Sequence, residues 1–253
     1  MTVHGLRAVN YDAVAGVYDQ RYATNRFDGS RATLRDFIGE SRTLDVLEVG
    51  CGTGHWLTEL AGSAATIAGI DPSWEMLSAA RSATKQATLV RARAEAIPWR
   101  SESVDRVFTI NAMHHFGDKP AYVREARRVL RAGGAVLAIG LDPHTGTDQW
   151  WIYDYFPAAL VADRVRYPSS ESIRAMLLAE GFVSVVTVVA QNIPAAVPFE
   201  QAVVRGLLDR RSASQLMVIG DDAVAAGMER LYRERPTLRA DLRLMATIGW
   251  VPA

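Results

Sequence analysis

Cysteine is almost absent from this sequence of 253 residues, because Cys51 is the only one. A single thiol excludes an intramolecular disulfide. The 5 histidines are scattered along the chain, so together with one cysteine they give no spacing typical of a bound metal ion. The sequence therefore predicts no metal, and it favours Cys51, which lies in a glycine-rich turn, as a small packing residue over a nucleophile.

An excess of charge and long apolar runs are absent as well. The 28 basic residues balance 28 acidic residues, and the isoelectric point is near 7.0, which predicts no whole-chain attraction to nucleic acid or to an anionic membrane. No apolar stretch reaches the roughly 18 residues that cross a bilayer. The start, Met1–His4, lacks the basic and apolar segments of a signal peptide. We therefore expect a cytoplasmic protein without nucleic-acid or membrane partners.

One stretch organises the rest of the chain, the segment LDVLEVGCGTGH at residues 44–55. An apolar run ends on glycines at alternate positions, Gly50, Gly52 and Gly54, and an amphipathic segment follows, which predicts a strand, a glycine turn and a helix. Glycines allow a sharp turn and let a ligand approach the backbone. The N–H groups that open the next helix favour an anionic or polar ligand.

A second predicted strand, Ala68-Gly69-Ile70-Asp71, ends on a carboxylate. In a nucleotide-binding βαβ unit, a carboxylate at this place accepts hydrogen bonds from a ribose. The glycine spacing is G-x-G-x-G, whereas the dinucleotide fingerprint is G-x-G-x-x-G. The spacing therefore disfavours a nicotinamide dinucleotide as the ligand.

The block from Glu48 to Gly54, followed by Ile70-Asp71-Pro72-Ser73, resembles motif I and the next strand of the class I methyltransferases. Those enzymes bind S-adenosylmethionine (SAM), and within them the chain resembles the small-molecule branch of the ubiquinone/menaquinone type. The resemblance covers about residues 9–141 by motif and the rest by pattern alone. It implies methyl transfer from SAM, with S-adenosylhomocysteine as the product.

The resemblance also implies which residues of the core contact the cofactor. Related enzymes hold the adenine amino group with an acidic residue where this chain has Arg93, and a guanidinium can only donate. The backbone N–H of Ala94 and the side chain of Glu95 are therefore the predicted adenine contacts. The full predicted set in the core is Glu48, Gly50, Cys51, Gly52, Gly54, Asp71, Pro72, Met76, Ala94, Glu95 and Asn111.

Residues 9–24 contain two Tyr-Asp pairs that are two helical turns apart, at Tyr11 and Tyr18. That spacing places both tyrosines on one helical face. The resemblance implies a lid helix over the cofactor site, with Tyr18 and Arg21 facing SAM and Tyr22 facing the substrate. A buried packing helix with a solvated Arg21 is the alternative.

The segment Asn111–Phe116 follows the fourth predicted strand. Ligands of open α/β sheets bind beyond the carboxyl ends of the strands, so this segment is expected beside the reacting methyl group. His115 is our candidate for a pocket base, because a histidine can take a proton near neutral pH. His144, which follows the fifth strand, is a second candidate, and purely structural roles remain open for these histidines.

Five aromatic residues cluster in the segment that follows, at positions 150, 151, 153, 155 and 156. Aromatic faces with polar tips suit a planar acceptor. We predict that Trp151 and Tyr153 contact the substrate, with the Tyr153 hydroxyl donating to an acceptor oxygen. A helix buried against the domain or another subunit is the alternative.

Alternating strands and helices predict an α/β fold. In the class that the chain resembles, this is a Rossmann-like sheet of seven mostly parallel strands, with an antiparallel last strand at its edge and helices on both faces. We expect one domain over residues 1–253, with a helical lid at 1–42 and a SAM-binding core at 43–141. The segments 142–168 and 191–236 are expected to form a substrate cap.

The expected reaction is methyl transfer to an oxygen, nitrogen or carbon nucleophile of a small molecule, and the aromatic segment favours a planar or aromatic acceptor. The same motifs would serve a SAM-binding enzyme that catalyses a cyclisation or rearrangement. They would also serve a non-catalytic SAM-binding partner protein. A monomer and a homodimer are both compatible with the sequence.

Overall fold

The structure, a computed structural model, describes residues 27–253, so the predicted lid residues Tyr18, Arg21 and Tyr22 lie outside the described part. The strands are β1 (Asp45–Val49), β2 (Thr66–Asp71), β3 (Thr88–Arg91), β4 (Val104–Ile110), β5 (Leu130–Leu141), β6 (Gln149–Trp150), β7 (Val183–Val197) and β8 (Leu238–Trp250). The helices are α1 (Asp28–Ile38), α2 (His55–Glu59), α3 (Trp74–Ala83), α4 (Lys119–Val129), α5 (Trp151–Tyr155), α6 (Pro157–Arg166), α7 (Ser170–Ala179), α8 (Phe199–Val204), α9 (Ser214–Met217) and α10 (Asp221–Glu234).

The strands form one mixed sheet in the order β3-β2-β1-β4-β5-β8, with β7 pairing on β8. The first five strands are parallel to one another, and β8 runs antiparallel to both β5 and β7. This topology confirms the predicted Rossmann-like α/β fold with an antiparallel last strand.

Two details of the sheet differ from the prediction. The described residues form eight strands rather than seven, because the two residues of β6 pair with β8 at Asp241 and Ala240. The last strand is also not at the edge. It lies between β5 and β7, because β7 pairs with β8 along most of its length, from Val183 opposite Trp250 to Val197 opposite Leu238.

The central strands are buried on both faces, as their continuous apolar runs require. In β1, Leu47 and Val49 face one hydrophobic cluster and Val46 faces another. Each such burial contributes roughly 1.5–3 kcal/mol to stability. Because β1 pairs in parallel with both β2 and β4, the three strands end at the same edge, where the candidate site lies.

Side-chain caps start three of the helices. The Ser73 hydroxyl accepts from the Met76 N–H at 3.1 Å to start α3, and the Asp118 carboxylate accepts from the Ala121 N–H at 2.8 Å to start α4. Ser169 caps α7 in the same way. These caps satisfy N–H groups that have no partner inside the helix.

The helix α1 is capped from a distant part of the chain. Gln191 of β7 accepts hydrogen bonds from the N–H groups of Gly29 and Ser30, at 2.6 and 3.2 Å. These hydrogen bonds therefore connect α1 to β7, the strand that pairs with β8.

A third hydrophobic cluster lies among the helices that follow β5 and β7, with Trp151, Phe156, Phe199, Leu216 and Leu231 as members. The second inserted segment begins after Val197, because residues 191–197 belong to β7.

None of the helices in residues 27–253 is both long enough and apolar enough to cross a bilayer.

Candidate active site

The turn after β1 depends on its three glycines. Gly50, Gly52 and Gly54 have φ angles of +77°, +52° and +82°, in the left-handed region that strains other residues. A Cβ on Gly50 would lie 2.6 Å from the Cβ of Ala112, so the turn packs directly on the segment after β4.

Asp71 connects this turn to the end of β2 through hydrogen bonds. Its carboxylate accepts from the Gly52 N–H at 3.0 Å and from the Ser73 N–H at 2.9 Å. The N–H groups of Gly50 and Cys51 donate to the Ile70 carbonyl at 2.8 and 3.0 Å. Asp71 is half-buried at this place, and its ribose contact remains a prediction.

Glu48 is a buried acidic group at the base of the turn. Its side chain is almost fully enclosed, and its Oε2 atom has no hydrogen-bond partner. Burial, and then the charge of Asp71, raise the pKa of the Glu48 carboxyl well above its ordinary value. An orphaned buried oxygen is costly, and with the glycine turn it fits a bound ligand that supplies a donor or a positive charge, as SAM would.

Cys51 is a packing residue in this structure. Its side chain is buried, and its Sγ atom lies 2.8 Å from the place that a Cβ on Gly69 would occupy. Burial, followed by the charges of Glu48 and Asp71, raises the pKa of the thiol well above its ordinary value. A protonated, enclosed thiol is a poor nucleophile.

The residues predicted near the adenine occupy different environments. Met76 and Ala94 are buried, whereas Pro72 and Arg93 are exposed. Glu95 accepts hydrogen bonds from the N–H groups of Gly117 and Asp118 at 2.6 and 3.0 Å. This oxygen of Glu95 therefore holds the start of α4, and the adenine contacts remain predictions.

A cavity of about 450 Å³ lies beyond the carboxyl end of β4. Asn111 and His114 form one side of it, β7 and β8 form a mostly apolar wall, and the inserted segments close it with aromatic and polar side chains. The lining residues include Trp150, Trp151, Tyr167, Asn192, Arg205, Ser212, Ser214, Gln215, Leu238, Leu242 and Leu244.

Of the two adjacent histidines, His114 lines this cavity. Its imidazole is buried and stacks on the ring of Tyr167, with centroids 3.9 Å apart and planes within 10°. The ring of His115 lies 3.8 Å from that of His114 but is exposed and outside the described lining. His115 therefore does not belong to the described lining of this cavity, because the segment forms a short 3₁₀ turn, Met113–His115. Its role as a base beside the methyl group stays a prediction.

His144 supports the cavity from outside. It is exposed, and its Nε2 atom donates to the Tyr167 carbonyl at 2.9 Å. The hydroxyl of Tyr167 accepts from the Gln215 side chain at 3.2 Å. His144 and Gln215 therefore hold Tyr167 against His114, and the sequence pattern gives no signal for Tyr167 or Gln215.

The aromatic segment is divided between the cavity and the cap interior. Trp151 lines the cavity, as does Trp150. The Tyr153 hydroxyl instead donates to the buried Asp163 carboxylate at 2.8 Å. Burial, and then the charge of Asp163, raise the pKa of the Tyr153 hydroxyl. In this structure the predicted donation from Tyr153 to a substrate oxygen is replaced by a contact inside the cap.

The described residues contain no cluster of histidine, cysteine, aspartate and glutamate side chains that could hold a metal ion.

Part of the chain is similar to known proteins. Residues 47–138 match the family model described as "Methyltransferase domain". The chain is 31% identical over 151 residues to a probable phthiotriol/phenolphthiotriol dimycocerosates methyltransferase 2 of Mycobacterium ulcerans, covering 58% of this chain and 55% of that protein. It is 29% identical over 140 residues to a demethylmenaquinone methyltransferase of Lactococcus lactis, covering 51% and 56%. The chain thus spans about half the length of the curated relatives it matches.

The solved structure of the YcgJ protein from Bacillus subtilis superposes with a TM-score of 0.65 at 19% identity, covering 89% of this chain and 99% of that one. This likeness shows the shared fold. Residues 47–138 are thus similar to a methyltransferase domain. The resemblance of the block Glu48–Gly54 to the class I SAM-dependent methyltransferases is confirmed.

Proposed function

We propose that this chain transfers the methyl group of SAM to an oxygen, nitrogen or carbon nucleophile of a small molecule bound in the cavity. The observation that carries the proposal is the contact between the glycine turn and the cavity. Gly50 packs on Ala112, and the flanking residues Asn111 and His114 line the cavity. A donor on the turn and an acceptor in the cavity would therefore meet at one short segment.

The residues present fit SAM as the cofactor. We assign its binding to the glycine turn with Asp71, Glu48 and Asn111, within a cofactor-binding part at residues 43–141. Bound SAM supplies a methyl group that is already activated. The protein then has to align the acceptor with that group and exclude water.

The inserted segments would perform these tasks as a cap over the acceptor. Trp150 and Trp151 cover one side of the cavity and Tyr167 another. His114, held by its stacking on Tyr167, is placed to orient the acceptor and to take a proton from a hydroxyl or an amine. Both curated relatives are named as methyltransferases, which supports the reaction class.

The fate of the methyl group tests the proposal. The purified chain is incubated with methyl-labelled SAM and a panel of phenols, amines and carboxylic acids. We expect label in one acceptor and an equal amount of S-adenosylhomocysteine. Conversion of an acceptor with the label retained on SAM would instead indicate a cyclisation or rearrangement. Binding of SAM with no conversion of any panel member would favour a non-catalytic partner.

A further inference from the structure

The described side chains that line the cavity carry permanent charge of one sign only. Among the described residues that line it, Arg205 is the only one with a permanent charge, and no aspartate or glutamate is present. The nearby polar groups, such as Asn111, Ser212 and Gln215, are uncharged. A cationic acceptor would meet a like charge here, whereas an anionic acceptor would meet an opposite one.

Arg205 differs from the neighbouring arginines of the cap. Arg210 pairs with Asp221 at 2.5 Å and Arg211 pairs with Asp209 at 2.7 Å. Within residues 27–253, Arg205 has no carboxylate partner, and its guanidinium makes one long hydrogen bond, to the Gln201 side chain at 3.3 Å. A guanidinium has five N–H donors, so most of the binding capacity of Arg205 is available to a ligand.

The wall formed by β8 is apolar. Leu238, Leu242 and Leu244 line the cavity there, and Trp150 and Trp151 add aromatic faces. The cavity thus joins an apolar wall to one exposed cation on the cap. That combination suits a ligand with an apolar body and a single acidic group.

We propose that the methyl acceptor carries a carboxylate or phosphate group and that Arg205 binds it, an inference that rests on the proposed function. A guanidinium matches both groups through paired, charge-assisted hydrogen bonds. With the acidic group held at the cap, the rest of the acceptor lies along the apolar wall. Its nucleophilic atom is then directed towards the segment of Asn111 and His114.

Matched probes test this assignment. Benzoate and phenyl phosphate carry an acidic group, and benzamide is a neutral counterpart of similar shape. Binding of each is titrated through the tryptophan fluorescence of the chain in the presence of S-adenosylhomocysteine, because Trp150 and Trp151 line the cavity. The variants are Arg205→Gln, Arg205→Lys and, as a control, Arg239→Gln. Arg239 is exposed on β8 between the lining residues Leu238 and Ala240 but is not itself part of the described lining.

We expect at least one of the anions to bind about tenfold more tightly than benzamide. Arg205→Gln should abolish this preference, Arg205→Lys should keep part of it, and Arg239→Gln should leave it unchanged. The preference should also weaken with added salt. Equal binding of anions and benzamide, no binding of any probe, or a preference that survives Arg205→Gln would overturn the proposal.

A separate calorimetric titration with S-adenosylhomocysteine distinguishes failure of the acceptor assignment from failure of the proposed function. If that ligand binds while the anion preference is absent, the acceptor assignment fails and the proposed function stands. If S-adenosylhomocysteine does not bind, the proposed function itself fails.

Discussion

Glu48 brings a carboxyl group into the core of the sheet at the point where β1 meets the glycine turn. Its raised pKa means that the folded chain holds a proton there that the unfolded chain releases above the ordinary glutamate pKa. Stability therefore falls as pH rises from that ordinary value towards the raised one, with a slope of up to about 1.4 kcal/mol per pH unit. The slope ends once the folded chain also loses the proton.

The variant Glu48→Gln should remove this contribution, because an amide does not titrate. We expect the variant to gain stability relative to the parent as pH rises above the ordinary glutamate pKa, measured by urea unfolding of the cofactor-free chain across pH. Glu229→Gln, at an exposed position, is the control and should follow the parent. A parent and Glu48→Gln variant with parallel pH profiles would show that Glu48 does not hold a proton in the fold.

Cys51 allows a second test at the scale of one residue, because it is the only thiol in the chain. Its burial and raised pKa predict slow alkylation by iodoacetamide at pH 8 in the folded protein. Mass spectrometry should show one alkyl group added rapidly in urea and very slowly without it. Equally rapid labelling of the folded chain would contradict the buried position.

At the scale of elements, α1 depends on a contact with β7. Gln191 caps two N–H groups of this helix, and Phe27, just before the helix, lines the cavity. The contact therefore connects β7 to the part of the cavity lining that Phe27 provides.

We expect Gln191→Ala to lower the free energy of unfolding by about 1–2 kcal/mol, because two helix N–H groups lose their acceptor. Urea unfolding measures the change. The exposed Gln86→Ala variant serves as the control and should lie within about 0.5 kcal/mol of the parent. A Gln191→Ala variant as stable as the control would mean that water replaces the cap at no cost.

The sequence predicted the elements that depend on local pattern. The apolar runs of β1, β2, β4 and β5 are all visible in short windows. The position of β8 inside the sheet was not predictable in this way, because it follows from the long pairing with β7. The cap that Gln191 places on α1 joins residues far apart in the chain, and no local pattern signals it.

At the scale of the whole molecule, the cavity is bounded by residues from many parts of the chain, which include β7, β8 and the segments that follow β5 and β7. Its cap side, including Tyr167, Arg205 and Gln215, comes from segments that lie far apart in the sequence. The glycine turn and Asp71 could be recognised as a predicted site from the sequence, because each lies in a short segment with a recognisable pattern. Two features depend on packing between distant residues and cannot be predicted from a local motif. They are the presence of His114, and not His115, in the described lining of the cavity and the contact of Tyr153 with Asp163.

Filling the cavity should separate acceptor binding from cofactor binding. Ala195 lines the cavity and is exposed, whereas the next residue, Ala196, is also exposed but lies outside the described lining. We expect Ala195→Trp to lower kcat/KM for the acceptor by about tenfold or more, because the indole occupies the acceptor volume. SAM affinity should change by less than about twofold, since no cofactor contact is lost.

Ala196→Trp is the matched control, and its kcat/KM for the acceptor should equal that of the parent. The same loss in both variants would indicate damage to β7 rather than a blocked cavity. No loss in Ala195→Trp would place the acceptor elsewhere.

Calorimetric titration with SAM shows whether the glycine turn and Asp71 form a SAM site. We expect micromolar binding by the parent chain and by Asp222→Ala, a control at an exposed carboxylate of α10. Asp71→Ala should bind about tenfold more weakly or not at all, because the turn loses its anchor and the ribose its acceptor. If the parent does not bind SAM, or if Asp71→Ala binds it equally well, the glycine turn and Asp71 do not form the SAM site.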